Sequence, residues 1–110
     1  MMIDADHYTY RVRWSTEDGE YVATVAELPS LSWLAASPVA AMDGMVRLAH
    51  DVVAEMEAAG EVPPVPLSAK DYSGKFVVRI PPEAHRELAL DAAEQGVSLN
   101  ALAASRLVAA

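Results

Sequence analysis

The segment Lys75-Phe76-Val77-Val78-Arg79-Ile80 alternates as a β-strand does, yet the stretch that follows it offers no second strand to pair with. Phe76, Val78 and Ile80 fall on one face, and Lys75, Val77 and Arg79 on the other. Pro81-Pro82 ends the segment and opens a helix to about Gln95; Gly96 stops it, and Ser98 caps a final helix running through Ala110. A lone strand leaves its backbone donors and acceptors unpaired, and a two-helix hairpin of this length cannot cover a core by itself. The economical solution is antiparallel pairing with the same strand of a second chain, beneath four helices. The expected dimer core is then Phe76, Val78, Ile80, Ala84, Leu88, Ala92, Leu99, Ala103 and Leu107.

The preceding residues spell a different pattern. Tyr8, Tyr10, Val12 and Trp14 alternate with Thr9, Arg11 and Arg13, predicting a half-buried strand. A polar turn with Asp18-Gly19 at its apex leads to a second strand, Tyr21–Val25, and Leu31–Ala35 is a third. Ser37 and Pro38 open a long helix as N-cap and first helical residue. Its expected apolar stripe is Val39, Met42, Val46, Ala49, Val53 and Met56, and Gly60 caps its end. The fold class is therefore α+β: a small three-stranded sheet with one long helix over residues 1–66, a linker over 67–74, and the strand–helix–helix module over 75–110.

Net charge is −8, and it is unevenly placed. Residues 1–70 carry eleven acidic against four basic side chains, whereas residues 71–110 are nearly balanced at −1. The acidic part repels non-specific nucleic acid and suits a basic protein partner. No apolar run is long enough to span a membrane, and the first residues lack the pattern of a signal peptide, so a cytoplasmic location is expected. Without cysteine there is neither a disulfide framework nor a thiolate metal site.

Strand, proline, helix, Gly-x-Ser and helix, as in Lys75–Pro81 and Gly96-Val97-Ser98-Leu99-Asn100, resemble the Arc/MetJ-type ribbon-helix-helix fold. Tyr21-Val22-Ala23-Thr24-Val25-Ala26-Glu27-Leu28-Pro29, followed by Ser37-Pro38 and a long helix, resembles the HicB family. Ser30 stands where that family usually has glycine after Leu-Pro, and Trp33–Ser37 departs from its usual glycine and Asp-Thr cap. The resemblance implies a truncated RNase H-like domain joined to a DNA-binding module. It also implies an antitoxin that silences a small RNA-cleaving HicA-like toxin and represses its own operon, with operator DNA as the second partner. Alternatives are a regulator of the same fold without a toxin, and an interaction domain whose ribbon serves only dimerisation.

In a β-ribbon reader the side chains that reach base edges lie on the solvent face, two residues apart, which selects Lys75, Val77 and Arg79. Arg79 suits guanine O6 and N7, Lys75 a guanine or a phosphate, and Val77 a thymine methyl. The start of the last helix, with Ser98, Leu99 and Asn100, suits a backbone phosphate. Two cations per strand give modest affinity, so binding is expected from dimers held side by side in a higher oligomer such as a tetramer. No catalytic constellation emerges. His7, His50 and His85 lie far apart in sequence, the carboxylates of the long helix fit a solvated face, and no phosphate-cradling glycine loop is present. No enzyme activity, cofactor, metal or small-molecule substrate is expected.

Overall fold

A computed structural model describes residues 2–109. The chain is α+β and divides into two compact units, Met1–Tyr72 and Ser73–Ala110. The first holds a three-stranded antiparallel sheet, with β1 (Tyr10–Ser15), β2 (Glu20–Val25) and β3 (Ser32–Ala35) in the order β1-β2-β3, and one long helix, α1 (Pro38–Ala58). The second holds α2 (Pro82–Gln95) and α3 (Leu99–Val108). The final helix thus ends at Val108, and Ala110, to which the sequence extended it, lies outside the described residues. No helix among the described residues is long and apolar enough to cross a membrane.

The β1–β2 hairpin is set by its turn. Gly19 adopts φ 66°, and its N–H donates to the Ser15 carbonyl at 2.8 Å. The buried Ser15 hydroxyl donates to Asp18 at 2.8 Å and accepts from the Asp18 N–H at 3.2 Å, closing the loop on itself. The resulting register pairs Tyr10 with Val25, Val12 with Ala23 and Trp14 with Tyr21, so the alternation read in the sequence becomes one sheet face. On β3, Trp33 pairs with Ala23 and joins that face. Trp14 and Tyr21 meet edge to face with ring centres 5.0 Å apart.

Helix α1 starts as its sequence dictates: the Ser37 hydroxyl accepts from the Ala40 N–H at 3.1 Å and Pro38 opens the first turn. It stops where Gly60, at φ 78°, lets the Glu61 N–H reach the Met56 carbonyl at 2.8 Å. The buried stripe differs from the expected one. Ala41, Gly44, Met45, Ala49 and Val53 face the sheet, whereas Val39 and Met42 are exposed. The reason is close approach. Trp33 lies across α1 at Gly44, where any Cβ would overlap the indole ring. Small residues set the distance, so Val39 and Met42 of the expected stripe are turned aside while Ala49 and Val53 stay buried. Val39, Met42 and Val46 line a shallow apolar trough with Val12 and Pro38 instead.

The core of this unit is Ala5, Tyr8, Ala23, Val25, Ala41, Met45, Ala49 and Val53. Two tyrosines tie it down. Tyr8 donates its hydroxyl to the Pro64 carbonyl at 2.7 Å, and Tyr10 to the Ala5 carbonyl at 2.6 Å. Burial, reinforced by nearby carboxylates, pushes the Tyr10 hydroxyl up to about 12. The stretch after α1 is held as well: Leu67–Ala69 forms a single 3-10 turn, and Ser68 donates to the His7 carbonyl at 3.2 Å.

Glu27 joins the two ends of this arrangement. Its carboxylate accepts from the Thr9 N–H at 2.8 Å, the Thr9 hydroxyl at 3.1 Å and the Leu67 N–H at 3.0 Å. Burial alone raises its pKa, but the donated hydrogen bonds from Leu67 and Thr9 outweigh that, and the net displacement is downward from the ordinary glutamate value. A depressed folded-state pKa contributes stability above the unfolded value that is lost as pH falls through the folded one. Acidification below about pH 4.5 is therefore expected to destabilise Met1–Tyr72 through this group. Glu27→Gln should flatten that part of the pH–stability curve measured by urea unfolding; an unchanged curve would remove Glu27 from the account.

Candidate functional site

The second unit is built as a helical hairpin with little inside it. Pro82 opens α2, and Gly96 ends it in the left-handed region at φ 68°. There the Gly96 N–H bonds Ala93 and the Val97 N–H bonds Ala92 at 3.0 Å. Ser98 then caps α3 by accepting from the Ala101 N–H at 3.0 Å. Arg106 reaches back to Asp91 at 2.9 Å, an exposed pair that fastens α3 to α2 without contributing much stability. Among the described hydrophobic residues of this unit, only Ala92 and Leu102 are buried.

Several other apolar side chains gather around one open hollow. Its lining includes Phe76, Val78, Ile80, Leu88, Leu99, Ala103 and Leu107, every residue in the core set of the strand–helix–helix module except the alanines at 84 and 92. Ala92 is already buried between the helices, and Ala84 is exposed. Phe76 is 71 % exposed and Val78 58 %. Residues 75–80 form no ladder, because no other described segment of this unit offers a strand to pair with.

The proposed base-reading side chains are distributed unevenly. Val77 is 92 % exposed and stays off the hollow, as odd–even alternation requires. Lys75 and Arg79 instead line it beside Phe76, Val78 and Ile80, so the three do not share the one solvent face that alternation assigns them, and His85, Asn100 and Arg106 add polar groups to the same lining. The start of α3 keeps donors free for an anion. Ser98 takes the Ala101 N–H, leaving the Leu99 and Asn100 N–H groups unused within the helix. Ser98, Leu99 and Asn100 therefore sit at one helix end, with Leu99 and Asn100 also on the hollow.

A second polar group lies in the other unit, and sequence spacing could not show it. His50, from the middle of α1, meets Asp6 with Nε2 and Oδ1 2.7 Å apart. Asp4 stands beside them, accepting from the Asp6 N–H at 2.9 Å. The three ligand atoms lie within 4.8 Å of one another. Histidine-to-histidine spacing, the usual signal, is blind to a carboxylate pair forty-four positions upstream.

The HicB-like pattern read over Tyr21–Pro29 lies outside the stretch that family comparison picks out. No curated protein and no solved structure matches the chain. Residues 60–107, which run from the cap of α1 through the connector to the end of the helical hairpin, match the model of the HicB family.

Proposed function

We propose that the protein is a HicB-type antitoxin and autorepressor, and the observation that carries this reading is the family match over residues 60–107. In this reading residues 75–80 of two chains pair as an antiparallel ribbon, and the four helices close over the shared apolar hollow to form a ribbon-helix-helix dimer. Lys75, Val77 and Arg79 enter the major groove of operator DNA, while Ser98, Leu99 and Asn100 hold a flanking phosphate. The acidic unit, a truncated RNase H-like domain in this reading, meets a small basic HicA-like toxin. Its charge of −7 over residues 1–70 favours such a partner and disfavours DNA. The family match supports the toxin–antitoxin role in general; the DNA-reading residues rest on the alternation and on the helix end.

Arg79 is the sharpest test. A bidentate arginine–guanine contact is worth about 1–3 kcal/mol of discrimination, so Arg79→Ala should weaken binding to DNA from upstream of the gene by roughly 5- to 150-fold. The variant should remain dimeric, because Arg79 is not among the apolar side chains expected in the dimer core. A mobility-shift titration alongside light scattering reads both quantities. Unchanged affinity and sequence preference would end the base-reading role. Binding to DNA with no rescue of growth against any small basic protein encoded beside the gene would instead favour the regulator without a toxin.

A further inference from the structure

We propose that Asp4, Asp6 and His50 form a binding site for a zinc-like divalent transition-metal ion that fastens the N-terminal segment to α1. The inference is independent of the DNA and toxin reading. Its basis is the convergence of an imidazole and two carboxylates from distant parts of the chain. Asp4 and Asp6 flank the first residue of the 3-10 turn Ala5–His7, and His50 projects from α1 onto that turn. Their ligand atoms already lie within 4.8 Å of one another, a spread that ligands about 2.0–2.2 Å from a common zinc ion can meet with small side-chain rotations.

The donor set chooses the metal class. Magnesium and calcium favour all-oxygen shells, whereas an imidazole nitrogen with carboxylates suits zinc and its neighbours. Asp4 is partly pre-positioned, because one of its oxygens accepts the Asp6 N–H at 2.9 Å and the other lies 3.7 Å from His7 Nε2. All three residues are exposed, so the ion has an open path and keeps water in its remaining positions. That exposure also sets the scale: affinity should be modest, well below that of a closed structural zinc site. The plain alternative is a surface ion pair between His50 and Asp6, which would bind nothing and would gain nothing from Asp4.

Binding at this place has a structural consequence. The 3-10 turn carries Ala5, 1 % exposed, into the core and presents the carbonyl that Tyr10 bonds. An ion bridging the turn to α1 therefore stabilises the whole first unit by mass action. Both tryptophans, Trp14 and Trp33, lie in that unit and report its unfolding. The experiment titrates zinc chloride into the full chain by calorimetry and follows thermal unfolding by tryptophan emission. One equivalent should bind, and Tm should rise by several degrees and return when the metal is chelated; magnesium chloride should do nothing. His50→Ala and Asp6→Asn, both at exposed side chains and so able to fold, should lose the heat and the Tm shift, whereas His85→Ala should keep them. Cobalt(II) absorption gives a second reading through ligand-field bands that His50→Ala removes. No heat and no Tm shift with wild-type protein would overturn the proposal, as would an equal response from His50→Ala.

Discussion

If residues 75–80 pair two chains as proposed, Val78→Asp is expected to convert the dimer to monomer and to unravel the helices of residues 82–108, while tryptophan emission from Met1–Tyr72 stays unchanged. Within a single chain the hairpin buries only Ala92 and Leu102 among its described hydrophobic residues, too little to offset the cost of ordering some forty residues. The hollow lined by Phe76, Val78, Ile80, Leu88, Leu99, Ala103 and Leu107 supplies the missing burial once a second copy covers it. A carboxylate placed there must be desolvated without a partner, at a cost of several kcal/mol. Each 1.4 kcal/mol is tenfold in an equilibrium, so the dimer should dissociate at concentrations on the order of a thousandfold higher than for wild type. Light scattering reads the mass and far-ultraviolet circular dichroism the helices. Val77→Asp is the matched control: Val77 is 92 % exposed and off the hollow, so that variant should stay dimeric. A dimeric Val78→Asp would sink the pairing scheme.

What the sequence made legible was whatever is written locally. Alternation gives the three strands of the first unit to within a residue or two, though not one at residues 75–80, and Ser37-Pro38, Gly60, Gly96 and Ser98 each cap a helix as their chemistry demands. The failures are all long-range. On α1 the expected stripe holds at Ala49 and Val53 but gives way at its start to Ala41, Gly44 and Met45, and nothing near Gly44 in sequence says that Trp33 will lie on it. Glu27 looked like one more acid of a solvated surface; its three donors come from Thr9 and Leu67, eighteen and forty positions away. His50 looked isolated because its neighbours are aspartates on another element. In the second unit residues 75–80 alternate as a strand does, but they form no ladder, because no other described segment of that unit offers a strand to pair with.

The same distinction makes Met45 the most consequential single residue of the first unit. Local pattern gives it no prominence, yet among the described residues it is the largest of the fully buried side chains. Ala41 and Ala49, one turn to either side of it on α1, and Ala5 and Ala23 in the same core are short side chains that offer little to fill a space left behind. A vacated site that cannot collapse lies at the costly end of large-to-small substitutions, so Met45→Ala should lose about 3–5 kcal/mol. For a unit of this size that is a large share of a total stability of roughly 4–11 kcal/mol. At about 4–8 °C per kcal/mol, Tm read by tryptophan emission should fall by at least ~12 °C. Met45→Leu, which keeps the volume, should cost less than about 1.5 kcal/mol. The contrast matters more than either value. If Met45→Ala and Met45→Leu unfolded alike, the centre of the sheet–helix interface would lie elsewhere, and the close approach of α1 at Gly44 would have to be explained without it.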